Sequence, residues 1–248
     1  MKVLQIETVY SAGGIPRIVR SLMEVVKEKG GDCKFAFGRQ RIEIAPENQG
    51  DIYLMEGKLE VYSHVLKSRI FDRSAFGSTA ATKRLIKYIE EYDPDIIHLH
   101  SLLGYYINVK VLFEYLSKAG KPVVWTQHDC WAITGHCIHF VNVGCDKWKE
   151  GCHHCPQKNT YPPSMVVDNS KRNYREKKEL FTSVPNMTLV TPSKWLAGFM
   201  EQSFLSKYPI KVIPNGINLG LYKPTESDFE GVTRVILGTE VKSSFFSL

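Results

Sequence analysis

Residues 1–37 read MKVLQIETVYSAGGIPRIVRSLMEVVKEKGGDCKFAF. Residues 3–8 set Val3, Leu4 and Ile6 around Gln5 and Glu7, the pattern of a strand, and the turn Ser11-Ala12-Gly13-Gly14 follows. Pro16 then falls in the first turn of a helix, where its missing N–H costs nothing, and Ile18, Leu22, Val25 and Val26 recur at helical spacing. Lys27 and Lys29 suit the C-terminus of that helix, Gly30 can take the left-handed cap, and residues 33–37 make a second strand. Strand, loop, helix and strand in this order predict a parallel sheet covered by helices, with right-handed crossovers.

The same alternation runs outward along the chain after one interruption. Residues 40–78 have no clean period, and 51–61 suggest a hairpin around Glu56-Gly57. A helix over 78–92 turns Leu85, Ile86 and Ile89 inward and stops at Asp93-Pro94, before a strand over 95–100. A helix over 106–119 carries Ile107, Val111, Leu112, Tyr115 and Leu116, is capped by Gly120, and leads into a strand over 123–127. After a Cys-rich stretch come a basic helix over 169–182, a strand over 187–191, a helix with Ser193 as N-cap, and a short strand over 211–213.

Composition bounds the classes. The 248 residues are 43% hydrophobic and 23% charged, which excludes a disordered or fibrous chain. No apolar run approaches the ~20 residues of a membrane span, and residues 1–10 lack the pattern of a signal peptide. A cytoplasmic protein is expected. The net charge of +6, from 32 Lys and Arg against 26 Asp and Glu, is too mild for a dedicated nucleic-acid binder and suits an acidic ligand or an anionic membrane surface.

In an open parallel sheet the ligand lies at the carboxyl ends of the strands. Gly13 and Gly14 let a ligand approach the backbone where the next helix offers free N–H groups to an anion, though a tight turn alone also asks for such a pair. In His98-Leu99-His100, period 2 puts both imidazoles on one face, fit for metal or phosphate; the plainer reading keeps His98 as a paired core residue and sends only His100 to the cleft. His128 beside Asp129 offers a base in a fixed tautomer or a cationic donor to phosphate, with a simple loop cap as the alternative. Ser193 is an N-cap with anion binding in addition.

Cysteines supply the other signal. Cys137-x7-Cys145-x6-Cys152-x2-Cys155 offers four thiolates, the preferred structural ligands of zinc, and ends in a knuckle-like Cys-x2-Cys. His136, His139, His153 and His154 leave the ligand set open, Cys130 is a spare thiol or an alternative ligand, and reduced, merely packed cysteines are the plainer alternative to a metal. The basic run of Lys171, Arg172, Arg175, Lys177 and Lys178 reads as a solvated helix face or as a contact to anionic lipid, which would place the protein at the periphery of the inner face of a membrane.

Together these pieces resemble the N-terminal half of a family 4 glycosyltransferase of GT-B architecture, of the colanic-acid and capsular polysaccharide group. The resemblance rests on the opening strand with Gly13-Gly14, PDIIHLH ending at His100, TQHDCW at 126–131, GHC at 135–137 and GCHHCP at 151–156. TPSKWLA at 191–197, SFL at 203–205 and VIPNGIN at 212–218 complete it. It implies an α/β fold with a Rossmann-like parallel sheet, helices on both faces and a Cys-rich insertion at about 129–160. It also implies transfer from a nucleotide-sugar co-substrate to a glycan or lipid-linked acceptor, with retention and without a catalytic metal.

Residue by residue, the resemblance sets Gly13 and Gly14 at the donor phosphates, His128 near the reacting sugar, and Asp129 and His100 in the same cleft. It counts His100, Ser193, Asn215 and Gly216 with them as donor- or phosphate-binding residues, and Asn215 and Gly216 belong to the motif that closes the first domain, residues 1–231. After Arg234 to Gly238 the family continues with an Arg-Lys-Gly segment and a Glu-x7-Glu motif, whereas this chain reads GTEVKSSFFSL from Gly238. The expectation is therefore that residues 232–248 are the truncated or frameshifted start of a nucleotide-sugar domain otherwise missing, and that the chain alone is inactive. Two readings compete: a zinc-stapled, non-catalytic interaction module, and a metal-dependent hydrolase ligated by His98, His100, His128 and Asp129.

Overall fold

Val3, Leu4, Ile6 and their neighbours form the centre of a seven-stranded sheet in the order β3-β2-β1-β4-β5-β6-β7. The computed structural model describes residues 1–10, 13–39, 50–55, 57–217 and 219. The strands are β1 (Lys2–Val9), β2 (Asp32–Arg39), β3 (Ile52–Leu54), β4 (Ile96–Leu99), β5 (Val123–Thr126), β6 (Met187–Thr191) and β7 (Ile210–Val212). Among the described residues, every pairing between these strands is parallel. β1 lies between β2 and β4, so the connections leave it in opposite directions, and this switch point opens a crevice at the carboxyl ends. β1 is buried along nearly its whole length, as a central parallel strand covered on both faces must be.

The helices are α1 (Gly14–Glu28), α2 (Lys58–Phe71), α3 (Thr79–Tyr92), α4 (Val109–Ala119), α5 (Ser170–Phe181) and α6 (Lys194–Glu201). α1 packs Val19 and Met23 against Val3, Cys33, Phe35 and Phe37 on one face of the sheet. On the other face, Leu85, Leu112, Phe113 and Phe181 from α3, α4 and α5 cover Leu4, Ile6, Ile97, Leu99, Val123 and Trp125. The doubly covered, Rossmann-like sheet anticipated from the first 37 residues is what the chain forms.

Differences from the sequence reading have local causes. α1 turns Val19 and Met23 inward and leaves Leu22 and Val25 at the surface. α4 begins only at Val109, because the Asn108 carboxamide accepts the N–H groups of Lys110 and Val111 and so caps the helix there. The expected hairpin at 51–61 is replaced by β3, parallel to β2, and by α2. α2 escapes a periodicity reading because polar His64 and Ser68 face the interior while Leu59, Tyr62 and Leu66 face out.

Residues 1–215 form one compact unit and residues 216–248 a second. The expected domain boundary at 231 and the tail after Gly238 lie outside the described residues. No described helix is long and apolar enough to cross a membrane.

Candidate functional site at the carboxyl edge of the sheet

Because all strands run the same way, their last residues gather on one edge: Glu7 from β1, Arg39 from β2, His100 after β4, Gln127 to Asp129 after β5, and Ser193 after β6. Gly13 caps α1 with φ of 100°, a conformation that demands glycine, and a Cβ at Gly13 or Gly14 would meet no atom within 4 Å. Among the described residues the backbone there is open to a ligand, at the N-terminus of a 15-residue helix without an acidic residue in its first turn.

Gln5 sets the proton order of the histidines. Its Nε2 donates to the Val19 carbonyl at 3.1 Å, which leaves Oε1 to accept from His100 Nε2 at 3.0 Å. Burial and the neighbouring histidines hold the His100 imidazole well below its ordinary range, so it is neutral and its Nδ1 is an acceptor. His128 Nε2 lies 3.3 Å from that Nδ1 and therefore carries the hydrogen. His128 Nδ1 is then a lone pair without a hydrogen-bond partner among the described residues, on a side chain only partly buried. Burial pushes His128 down to about 4, so of the two forms expected the free protein holds the neutral base and not the cationic donor.

Glu7 is the residue sequence reasoning missed. It is 2% exposed, its Oε2 accepts the Ser101 N–H at 2.7 Å, and burial, with the charge of Asp129 adding to it, raises its carboxyl to about 8. The signal was present: Gln5 and Glu7 are polar residues in a strand both of whose faces must be buried. Gln127 Nε2 and Arg39 Nε are buried donors without a partner among the described residues. Gln127 lines a small cavity with His100, His128 and Asp129, and Arg39 is paired with Val9 in the sheet, four residues before Gly13.

The remaining expected residues divide. Asp129 Oδ1 accepts the Trp131 N–H at 2.8 Å and so caps the 3-10 turn at Trp131–Ile133, and Ser193 Oγ accepts the Leu196 N–H at 3.2 Å as the N-cap of α6. His98 shares a sheet face with His100, as period 2 requires, but its Nε2 is bonded to Thr126 Oγ1 at 2.8 Å. With that nitrogen and both of His100 engaged, the four proposed hydrolase ligands do not form an open metal site. Asn215 ends the first compact unit, Gly216 begins the second, and both are exposed.

Cys137, Cys145, Cys152 and Cys155 line one cavity together, as their spacing suggested. Among the described residues, however, no three His, Cys, Asp or Glu side chains are gathered into a metal-holding group, so the expected closed site is not formed. His136 is tied to Asp72 at 2.5 Å, His139, His153 and His154 are exposed, and burial, with Asp129 beside it, pushes the Cys130 thiol up to about 12. On α5, Lys171, Arg172, Arg175 and Lys178 line a groove of about 510 Å³. Lys177, expected on that same face, is instead 1% exposed and donates to the Trp131 carbonyl at 2.6 Å, with its ammonium 3.7 Å from the Trp131 ring centre.

Comparison with known proteins bears on this edge. The chain is 27% identical over 229 residues to the Escherichia coli (strain K12) protein WcaC, named as a colanic acid biosynthesis glycosyl transferase, a match covering 88% of this chain and 55% of WcaC. The chain thus spans about half the length of the curated relative it matches. Solved structures similar to it include the glycosyltransferase SnogD from Streptomyces nogalater, with a TM-score of 0.40 and 12% identity over 91% of this chain and 54% of SnogD. The glycosyltransferase VinC, solved in complex with DTDP, has a TM-score of 0.35 and 13% identity over 77% of this chain and 49% of VinC. The profile of Glycosyltransferase Family 4 matches residues 12–221, the span that holds nearly the whole strand-end site, and the chain belongs to that family.

Proposed function

We propose that this chain forms the acceptor-side half of a glycosyltransferase that moves a sugar from a nucleotide-sugar to a growing polysaccharide or lipid-linked acceptor, with retention of configuration. The observation that carries this reading is the proton-ordered row Gln5, His100 and His128, which leaves a lone pair on His128 Nδ1 at the same carboxyl edge of the sheet as the Gly13-Gly14 turn. In this reading His128 Nδ1 accepts a sugar hydroxyl and fixes the ring. The α1 N–H groups and Arg39 stabilise the charge that develops on the leaving diphosphate. Family membership favours this over a hydrolase or a bare interaction module.

Because the acceptor-side half alone is expected to be inactive, the test joins this chain to a nucleotide-sugar-binding second domain and follows transfer of radiolabelled sugar from a panel of nucleotide-sugars to a lipid-linked acceptor pool. Label should move, and His128→Ala should lower the rate by about 100-fold or more. No transfer by the completed enzyme with the wild-type half overturns the reading, and full transfer by the variant overturns the role of His128.

We further infer that the cysteine-rich segment takes one structural zinc ion. What supports it is the cavity shared by Cys137, Cys145, Cys152 and Cys155. Binding requires the thiols to close around the ion.

A further inference from the structure

α5 sorts its charges by face. Lys171, Arg175 and Lys178 fall at i, i+4 and i+7, on one side of the helix. All three are exposed, and among the described residues none has a hydrogen bond or an ion pair through its side chain. The acids of α5 stay off this row: Glu176 is held by Arg73 and by Arg172, each at 2.6 Å, and Glu179 projects about 80° around the helix from Lys171. Like charges four residues apart repel along a helix, so the row costs stability that nothing within α5 offsets and that an anion from outside would relieve.

The row faces a recess. It lines the groove of about 510 Å³, whose opposite wall is the loop 150–153, and that volume is in the range of sites for small ligands. Two acids, Glu150 and Asp168, share the lining with Lys171, Arg172, Arg175 and Lys178. Asp168 is engaged at both oxygens: Oδ2 accepts the Cys155 N–H at 2.7 Å, and Oδ1 accepts the Ser170 N–H at 2.9 Å and the Ser170 hydroxyl at 2.5 Å. Glu150 is then the one lining acid left to oppose the cations. On the loop wall, His153 Nδ1 donates to the Gly151 carbonyl at 3.0 Å, which leaves Nε2 of the neutral ring to accept from a hydroxyl.

Lys171 and Lys178 are about 10 Å apart along the helix axis, with Arg175 between them. One phosphate cannot meet the whole row, whereas a ligand that repeats its negative charge along its length can. Single-stranded nucleic acid repeats its charge, but its bases need open aromatic faces, and the Tyr174 ring that lines the groove is 5% exposed. A bilayer offers a broad surface and not a strand that enters between a helix and a loop. Carboxylates for the cations and hydroxyls for His153 Nε2 together describe an acidic saccharide. The groove also adjoins the site. A Cβ on Gly135, in the stretch that follows His128, would lie 2.1 Å from the Ser170 carbonyl, which seats the start of α5 directly against that stretch.

We infer that the α5 groove is a subsite for an anionic saccharide, with Lys171, Arg175 and Lys178 on its carboxylates and His153 Nε2 on a hydroxyl. It rests on the proposed function only in making this saccharide the acceptor chain, which then carries uronic acids behind its reacting end; binding itself needs neither donor nor second domain. The experiment is isothermal titration of the chain with oligogalacturonate and with the same oligomer methyl-esterified at its carboxyls. The acid form should bind about tenfold or more tightly than the ester, and less tightly as salt rises. Lys171→Glu with Arg175→Glu should lower that affinity about tenfold or more and leave the circular dichroism and thermal midpoint unchanged, since both side chains are exposed. Lys67→Glu with Arg69→Glu on α2, the same change of net charge at exposed positions, should alter it by less than about twofold. The subsite is overturned if the wild type binds neither oligomer or both equally, or if the α2 pair weakens binding as much as the α5 pair. It is overturned equally if the α5 pair removes binding to phosphatidylglycerol vesicles and leaves oligogalacturonate binding unchanged. Oligogalacturonate binding by a completed enzyme that transfers no sugar overturns the proposed function alone, and transfer without such binding overturns the subsite alone.

Discussion

Glu7 shows how one strand position acquires chemistry from its surroundings. Its carboxyl is withdrawn from water and accepts the Ser101 N–H, so the folded protein keeps its proton up to about pH 8, whereas the unfolded chain releases it near 4.5. Between those values the folded state binds more protons, so this group's contribution to stability falls as pH rises, by up to ~1.4 kcal/mol per pH unit. His98 and His128, held near 4 by burial, act in the opposite sense and only below 6.5, where the unfolded histidines charge first. Lys177, pushed down to about 7 by burial, and Cys155, down to about 6, act against Glu7 between pH ~6.5 and ~8, so Glu7 is isolated by difference: in urea unfolding Glu7→Gln should gain stability relative to the wild type as pH rises across this window. An unchanged slope in the variant would remove Glu7 as the buried acid.

At the scale of elements, the stretch between β5 and α5 contains only two short 3-10 turns, Trp131–Ile133 and Val141–Val143. It is nonetheless packed, with Phe140 stacked on Trp148 at 4.8 Å and Trp148 1% exposed. A long segment without ladders or helical bonds needs another source of order, which is the physical ground for a zinc staple there. Metal analysis of purified, tag-free protein should return about one zinc per chain. Cys152→Ser with Cys155→Ser should lose the metal and lower the thermal midpoint. Metal-free protein that melts where the zinc-bound form would be expected to, unchanged by added zinc, refutes the staple.

For the whole molecule, the larger core is tied together where α5 meets the sheet. Phe181 is fully buried, with its ring centre 4.6 Å from Phe113, 4.9 Å from Trp125 and 6.1 Å from Trp131. It joins α4, β5 and the turn that follows His128 and Asp129. Phe181→Ala should cost about 3–5 kcal/mol in urea unfolding, because the cavity it leaves is walled by rigid aromatic rings that cannot collapse into it. A loss under about 1 kcal/mol would mean that α5 is anchored elsewhere.

The sequence by itself determined the parallel, doubly covered sheet, because burying both faces of its strands and capping its helices are local demands that Val3 to Ile6, Asp93-Pro94 and Ser193 meet in place. It also placed Gly13, His100 and His128 on one edge, since strand ends follow from strand direction. Only the tertiary structure decided the proton order from Gln5 to His128, the raised carboxyl of Glu7, the burial of Lys177 and the reversed face of α2. Each of these depends on residues far apart in the chain: Gln5 lies 95 positions from His100, Glu7 lies 94 from Ser101, and Lys177 lies 46 from Trp131. Periodicity reports only what a segment asks of its own neighbours. A buried charge or an outward leucine is set by what the rest of the fold brings beside it or leaves uncovered.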